Sequence, residues 1–168
     1  MPHIHEQYDF TVSAFIIHPD KNKVCLHLHK KIGKWLQPGG HVELNEDPLQ
    51  SLEHELEEEV GLTKDEFSFI DVGPRLDLVE SKTLPNPINM NVHSVSDTHK
   101  HIDMVYLVQA HTNRLQPQEG ESQDINWFSP EQAVKLYEDG LLYEDTAKEV
   151  QWIFNDLLQT VDKQSKTV

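Results

Sequence analysis

GHVELNEDPLQSLEHELEEEVGL, residues 40 to 62, is the stretch whose reading decides the fold. Asp47 followed by Pro48 supplies a helix N-cap and a proline at the first helical position, where its missing N–H leaves no hydrogen bond unmade. A helix from about Pro48 to Val60 follows, and Gly61 stands where a helix end favours a residue that tolerates left-handed backbone. Leu62 can then close that end with its side chain turned inward. Within the helix Glu55, Glu58 and Glu59 fall at i, i+3 and i+4, so their carboxylates project from one face. Such a cluster repels itself unless cations bind it. Hard oxygen ligands suit Mg²⁺ or Mn²⁺, which keep coordination positions open for water and phosphate oxygens. The plainer reading is a solvated acidic helix face.

Upstream, Pro38-Gly39-Gly40 reads as a backbone-permissive turn. Residues 9 to 18 and 23 to 29 are rich in β-branched and apolar side chains and are separated by the turn-like PDKN, which predicts a hairpin. Downstream, FSFIDVG and RLDLVE have the pattern of strands. Residues 81 to 100, rich in Pro, Asn and Ser, predict a long loop or a strand with irregular flanks. HIDMVYLVQA reads as a buried strand, DINWF as a shorter one, and Ser129-Pro130-Glu131 as the opening of a helix. In the last segment Ala147, Val150, Phe154, Leu157, Leu158 and Val161 recur at helical spacing. That stripe is expected to pack on the sheet, with a homodimer interface as its other use. There is no internal repeat, and DKQSKTV reads as a frayed tail.

The 168 residues suit one domain spanning the whole chain, 1–168, and can bury a core without disulfides. Fourteen Lys plus Arg against twenty-nine Asp plus Glu give a formal charge of −15, which repels a long phosphate backbone and argues against stable nucleic-acid binding. A single cysteine, Cys25, excludes an intramolecular disulfide and reads as a small core residue. MPHIHEQYDF has neither the basic start nor the apolar run of a signal peptide, so a cytoplasmic protein is expected. No apolar run approaches the roughly 20 residues of a membrane span. Neither a GxSxG elbow nor a P-loop is present.

Residues 40 to 62 also resemble the Nudix box: Gly40, Glu46, Glu55, Leu56, Glu58, Glu59, Gly61 and Leu62 all fall in register with it. WLQPGG ahead of the box and NWFSPEQA near the end are similar to the family as well. One position departs, because His54 stands where the family has arginine. The resemblance implies an α/β fold, a Nudix-type α/β/α sandwich with a mixed β-sheet. It implies a Mg²⁺- or Mn²⁺-dependent hydrolase that cleaves a diphosphate linkage in a nucleoside triphosphate or a nucleoside diphosphate derivative. By the same resemblance Glu58 and Glu59 are metal ligands, and Glu55 is a ligand or the base that activates water. The Gly39 carbonyl is a further ligand, and Glu46 fixes the loop against the helix. Many members add a carboxylate from a distant loop; Glu121 is the best-placed candidate and Glu119 the second, against the reading of an exposed loop acid.

An arginine at position 54 would be charged at every working pH and could grip a carboxylate with two prongs, whereas a histidine is charged only when protonated. On a helix its neighbours are Glu57 and Glu58, so the orientation of the glutamates is expected to depend on pH. The departure also admits a non-catalytic nucleotide-binding sensor on the same fold. An isoprenoid diphosphate isomerase on a related fold would need a cysteine, and Cys25 is its only candidate.

Outside the box, His99, His101 and Asp103 are spaced by two, so a strand would present them on one side, to grip a phosphate or a second metal or merely to meet solvent. Trp35 and Phe128 are candidates to stack on a base, or else core aromatics. His27 and His29 alternate on one strand face and, with His3 and His5, read as incidental. Substrate choice in such a family resides outside the box, which directs attention to residues 81 to 100. The small-molecule substrate itself is not legible.

Overall fold

The structure, a computed structural model, describes residues 7–165. His3 and His5 lie outside that range. Eight strands and four helices follow in order: β1 (Tyr8–Ile17), β2 (Val24–His29), β3 (Lys34–Leu36), β4 (Gly39–His41), α1 (Pro48–Glu59), β5 (Phe67–Phe69), β6 (Asn89–Ser94), β7 (Lys100–Ala110), β8 (Ile125–Phe128), α2 (Pro130–Glu138), α3 (Glu144–Trp152) and, after a π-helical turn at Ile153–Leu157, α4 (Leu158–Ser165).

The strands form one mixed sheet. β1 runs parallel to β7 along its whole length, from Tyr8 opposite Lys100 to Ile17 opposite Gln109, and every other pairing is antiparallel. The other edge of β1 is shared. β4 pairs with Thr11 to Ser13, and β2 pairs with Ile16 and Ile17, which makes the expected hairpin. β7 is divided likewise between β6 at its start and β5 at its end.

Alternation along the two central strands explains the layering. Val12, Ala14 and Ile16 of β1 with Tyr106 and Val108 of β7 face Leu49, Leu52, Leu56 and Val60 of the α1 segment. Phe15, Ile17, Val105 and Leu107 face the opposite way, onto Ala133, Leu142, Ala147, Val150 and Ile153 from α2, α3, the segment joining them and the π-helical turn. The result is the expected sandwich, with helices on both faces of a mixed sheet.

Helix α1 obeys its local signals. The Asp47 carboxylate accepts the N–H groups of Leu49 and Gln50, and the Gln50 side chain accepts the N–H of Asp47, a complete capping box. At the other end Gly61 has φ +79, and Leu62 donates back to the Leu56 carbonyl at 3.1 Å. A side chain at Gly61 would also collide with the Gln116 carbonyl. α2 opens the same way, through Ser129 and Gln132.

One expected strand is absent, and the C-terminal segments are reshaped. RLDLVE is not a strand: Leu76 and Leu78 alternate but are exposed, because no neighbouring strand is there to pair with them. Residues 81 to 100 do contain a strand, β6, with irregular flanks. The stripe on the final helix packs on the sheet, but the π-helical turn, in which Leu158 donates to Ile153, shifts its phase. Ile153 becomes the fully buried residue while Phe154 and Leu157 lie at the margin. The tail expected to fray from Asp162 is helical as far as Ser165, and its remainder lies outside the described residues. Among the described residues no helix is long and apolar enough to cross a membrane.

Candidate functional site

The turn between β3 and β4 brings the backbone against the glutamate face of α1. Gly39 lies so close to β1 that a Cβ there would overlap the Val12 carbonyl. Its N–H donates to Glu59 Oε2 at 2.9 Å. Gly40 meets the Glu55 carboxylate itself, and a Cβ on it would occupy the place of Oε1. The two glycines are therefore required by proximity. Glu59 is buried, Glu55 is half-buried and Glu58 is exposed, so the three carboxylates grade from interior to solvent along one helix face.

Their electrostatics follow from that gradient. Burial, reinforced by the charges of Glu58, Glu121 and Glu43, pushes Glu55 up to about 7. Burial pushes Glu59 up to about 8 against the Gly39 hydrogen bond, with Glu55, Glu121 and Glu58 adding repulsion. Glu121, 62 positions beyond Glu59 in the chain, thus stands close enough to act on both inner carboxylates, while Glu119 is an exposed loop acid. Carboxylates held together at such cost are the donor set that a divalent cation relieves, and all the donors are hard oxygens.

His27, incidental by sequence alone, stands at this site. Its Nδ1 is 3.7 Å from Glu59 Oε1, and the residue is 4% exposed with that nitrogen unbonded. Burial first, then His29, lowers its pKa to about 4, so it faces the glutamate as a neutral ring. Cys25, fully buried on the α1 face, has its thiol pushed far above the ordinary range by burial and Glu59, which suits a core residue and not a nucleophile.

His54 does not reach toward Glu57 or Glu58. Its Nδ1 lies 2.7 Å from Glu46 Oε1, and Glu46 Oε2 accepts from Ser51 Oγ at 2.9 Å. Ser51 in turn accepts the Glu43 N–H at 3.1 Å. His54, Glu46 and Ser51 fasten the loop after β4 to the first turns of α1, the role expected for Glu46 with His54 added to it.

The remaining expected site residues separate into two groups. Asp103 is 5% exposed and has both oxygens occupied, by Thr11 Oγ1 at 2.9 Å and Ser13 Oγ at 2.8 Å. It ties β7 to β1. His99 lies just before β7, in the turn where Val95 and Ser96 donate to its carbonyl. With His101 it meets Asp9 and His41, two residues not anticipated. The polar positions Asp9, Thr11 and Ser13, alternating within an otherwise apolar strand, were the available signal. Trp35 stacks edge-on against Phe128 at 4.8 Å and packs into the core on the α2 and α3 side, on the sheet face opposite α1.

Residues 7–152 match the NUDIX domain family, and the chain belongs to it. Within that family it is a pyrophosphohydrolase acting on phosphoric anhydrides. It is 29% identical over 140 residues to the probable DHNTP pyrophosphohydrolase of Lactococcus lactis subsp. cremoris (strain MG1363), covering 80% of this chain and 74% of that protein. Among solved structures it resembles a NUDIX-family hydrolase from Clostridium perfringens, with a TM-score of 0.70, 32% identity, and coverage of 88% of this chain and 96% of that one. A C. elegans Ap4A hydrolase shares the fold at a TM-score of 0.64 and 17% identity, over 85% of this chain and 93% of its own.

Proposed function

We propose that the chain, in the cytosol, hydrolyses the diphosphate linkage of a nucleoside triphosphate or a nucleoside diphosphate derivative with Mg²⁺ or Mn²⁺ as cofactor. One observation carries this reading: Glu55 and Glu59 lie against Gly39 and Gly40 of β4 with pKa values raised by burial and by Glu58 and Glu121. Glu58, Glu59, Glu121 and the Gly39 carbonyl form the proposed ligand set. When bound, the ion supplies charge to the phosphate oxygens and acidity to a water.

The chain's own residues do the rest. Glu55, with its pKa near 7, is suited to take a proton from the attacking water at neutral pH. The Gly39 N–H fixes Glu59, and neutral His27 behind it adds no positive charge that would compete with a cation. The likeness to a probable DHNTP pyrophosphohydrolase supports DHNTP as a candidate substrate.

The test is a substrate panel with Mg²⁺, containing nucleoside triphosphates, DHNTP, nucleoside diphosphate sugars and dinucleoside polyphosphates, with phosphate, pyrophosphate and monophosphate products followed. Metal-dependent turnover of at least one is expected. No release from any of them overturns the reading and leaves a binding protein.

A further inference from the structure

A second convergence of ligating atoms lies on β1, β4 and β7. Asp9 of β1, His41 of β4, His101 of β7 and His99 just ahead of β7 each offer one atom, and the four atoms lie within 4.8 Å of one another. Asp9 Oδ2 is 3.4 Å from His99 Nε2 and 3.7 Å from His41 Nε2. The His41 and His101 rings meet edge-on at 4.8 Å, and those of His99 and His101 at 5.2 Å.

Asp9 is 4% exposed, and its Oδ2 and His41 Nε2 are both buried without a hydrogen-bond partner. Polar atoms in that condition carry an uncompensated desolvation cost, and folded proteins almost always satisfy them. An anion does not solve the problem, because the Asp9 carboxylate at the centre would repel it. A cation satisfies the carboxylate and the imidazole nitrogens together.

We infer that Asp9, His41, His99 and His101 form a binding site for a borderline transition cation, Zn²⁺ foremost, separate from the glutamate cluster. Three imidazole nitrogens with one carboxylate oxygen match the preference of Zn²⁺, whereas Mg²⁺ requires an octahedron of oxygens. Ligand bonds of about 2.0–2.2 Å would draw the four atoms to roughly 3.3 Å apart, an adjustment within reach of side-chain rotation. Four protein ligands complete a tetrahedron and leave no position for substrate, so the site is a structural clamp. The clamp joins β4 to β1 and β7. β4 otherwise pairs only with Thr11 to Ser13, and its first residue is Gly39, which holds Glu59. This inference does not rest on the hydrolytic reading.

The experiment uses the full chain, stripped by chelator and titrated with Zn²⁺ alone in millimolar Mg²⁺, followed by calorimetry and thermal melting, with Co²⁺ absorption as a report of geometry. One equivalent of Zn²⁺ is expected to bind and raise Tm, and Co²⁺ to give the intense visible bands of a four-coordinate site. His99→Ala and His101→Ala should each weaken binding at least roughly tenfold, a loss of the size that altered metal sites show. Glu58→Gln should leave it unchanged. If His101→Ala does not fold, His99→Gln tests the same site from the more accessible turn. Zn²⁺ binding that survives the histidine substitutions, that is lost in Glu58→Gln, or that Mg²⁺ abolishes overturns the proposal. Because the readout is binding, its failure is distinguishable from a failure of hydrolysis.

Discussion

His54 Nδ1 lies 2.7 Å from Glu46 Oε1, so the residue that departs from the family's arginine fastens the loop before α1 to the helix instead of gripping a glutamate one turn away. The ring is largely exposed, and a polar contact of that kind contributes about 0.2–1 kcal/mol. A double-mutant cycle of His54→Ala and Glu46→Gln, read by denaturant melts, should give a coupling in that range. At one fixed pH kcat/KM of His54→Ala should fall below wild type, whereas His54→Arg, whose permanent charge can hold Glu46, should retain it. Equal values for all three proteins would make His54 a spectator.

Glu58→Gln and Glu59→Gln should each lower kcat on the order of 100-fold or more, the scale on which one preorganised electrostatic group acts. Their effects on stability should differ. Glu58 is exposed, so its substitution should leave Tm unchanged. Glu59 is buried and accepts the Gly39 N–H; a glutamine retains that acceptor while removing the repelled charge, so the chelator-treated variant should melt no lower than wild type. Full turnover by both variants would refute the ligand assignment.

Gly40→Ala should abolish most activity with a smaller effect on folding, because its new Cβ displaces the Glu55 carboxylate, a side chain that can swing aside. Gly39→Ala should be worse on both counts. There the obstacle is the backbone of Val12 and Ser13, which cannot move without breaking the β1–β4 pairing. Parallel activity and thermal-melt measurements separate the two.

The raised pKa of Glu59, about 8, sets a sign for the stability of the metal-free protein. Between the ordinary carboxylate range and pH 8 the folded state holds a proton that the unfolded state has lost, so stability falls as pH rises through that window. Wild type in chelator should therefore lose Tm from pH 5 to 9 relative to Glu59→Gln, and Mg²⁺ should restore it at the alkaline end by occupying the charged form. A pH-independent difference between the two proteins would show that Glu59 is not desolvated as the structure has it.

Helix α1, its caps and the spacing of Glu55, Glu58 and Glu59 were legible in the chain because each depends on residues within about one or two helical turns. The β1–β2 hairpin and the capped start of α2 were legible for the same reason. RLDLVE shows the limit: alternation was present in the letters, but a strand exists only where another strand offers its hydrogen bonds, and none does. The π-helical turn at Ile153–Leu157 likewise escaped a pattern that assumes constant periodicity.

What the sequence by itself determined is the helix and its carboxylate face, since capping and periodicity act over a few residues. Tertiary structure alone decided that Glu59 is buried against Gly39 and His27, that Asp103 is spent on Thr11 and Ser13, and that His99 and His101 find Asp9 and His41. The Asp103 contacts and the approach of His101 to Asp9 follow from the parallel register of β1 on β7, which joins positions some 92 residues apart. That register is set by which apolar face of each strand the two cores bury, a global balance that no local stretch of the chain contains.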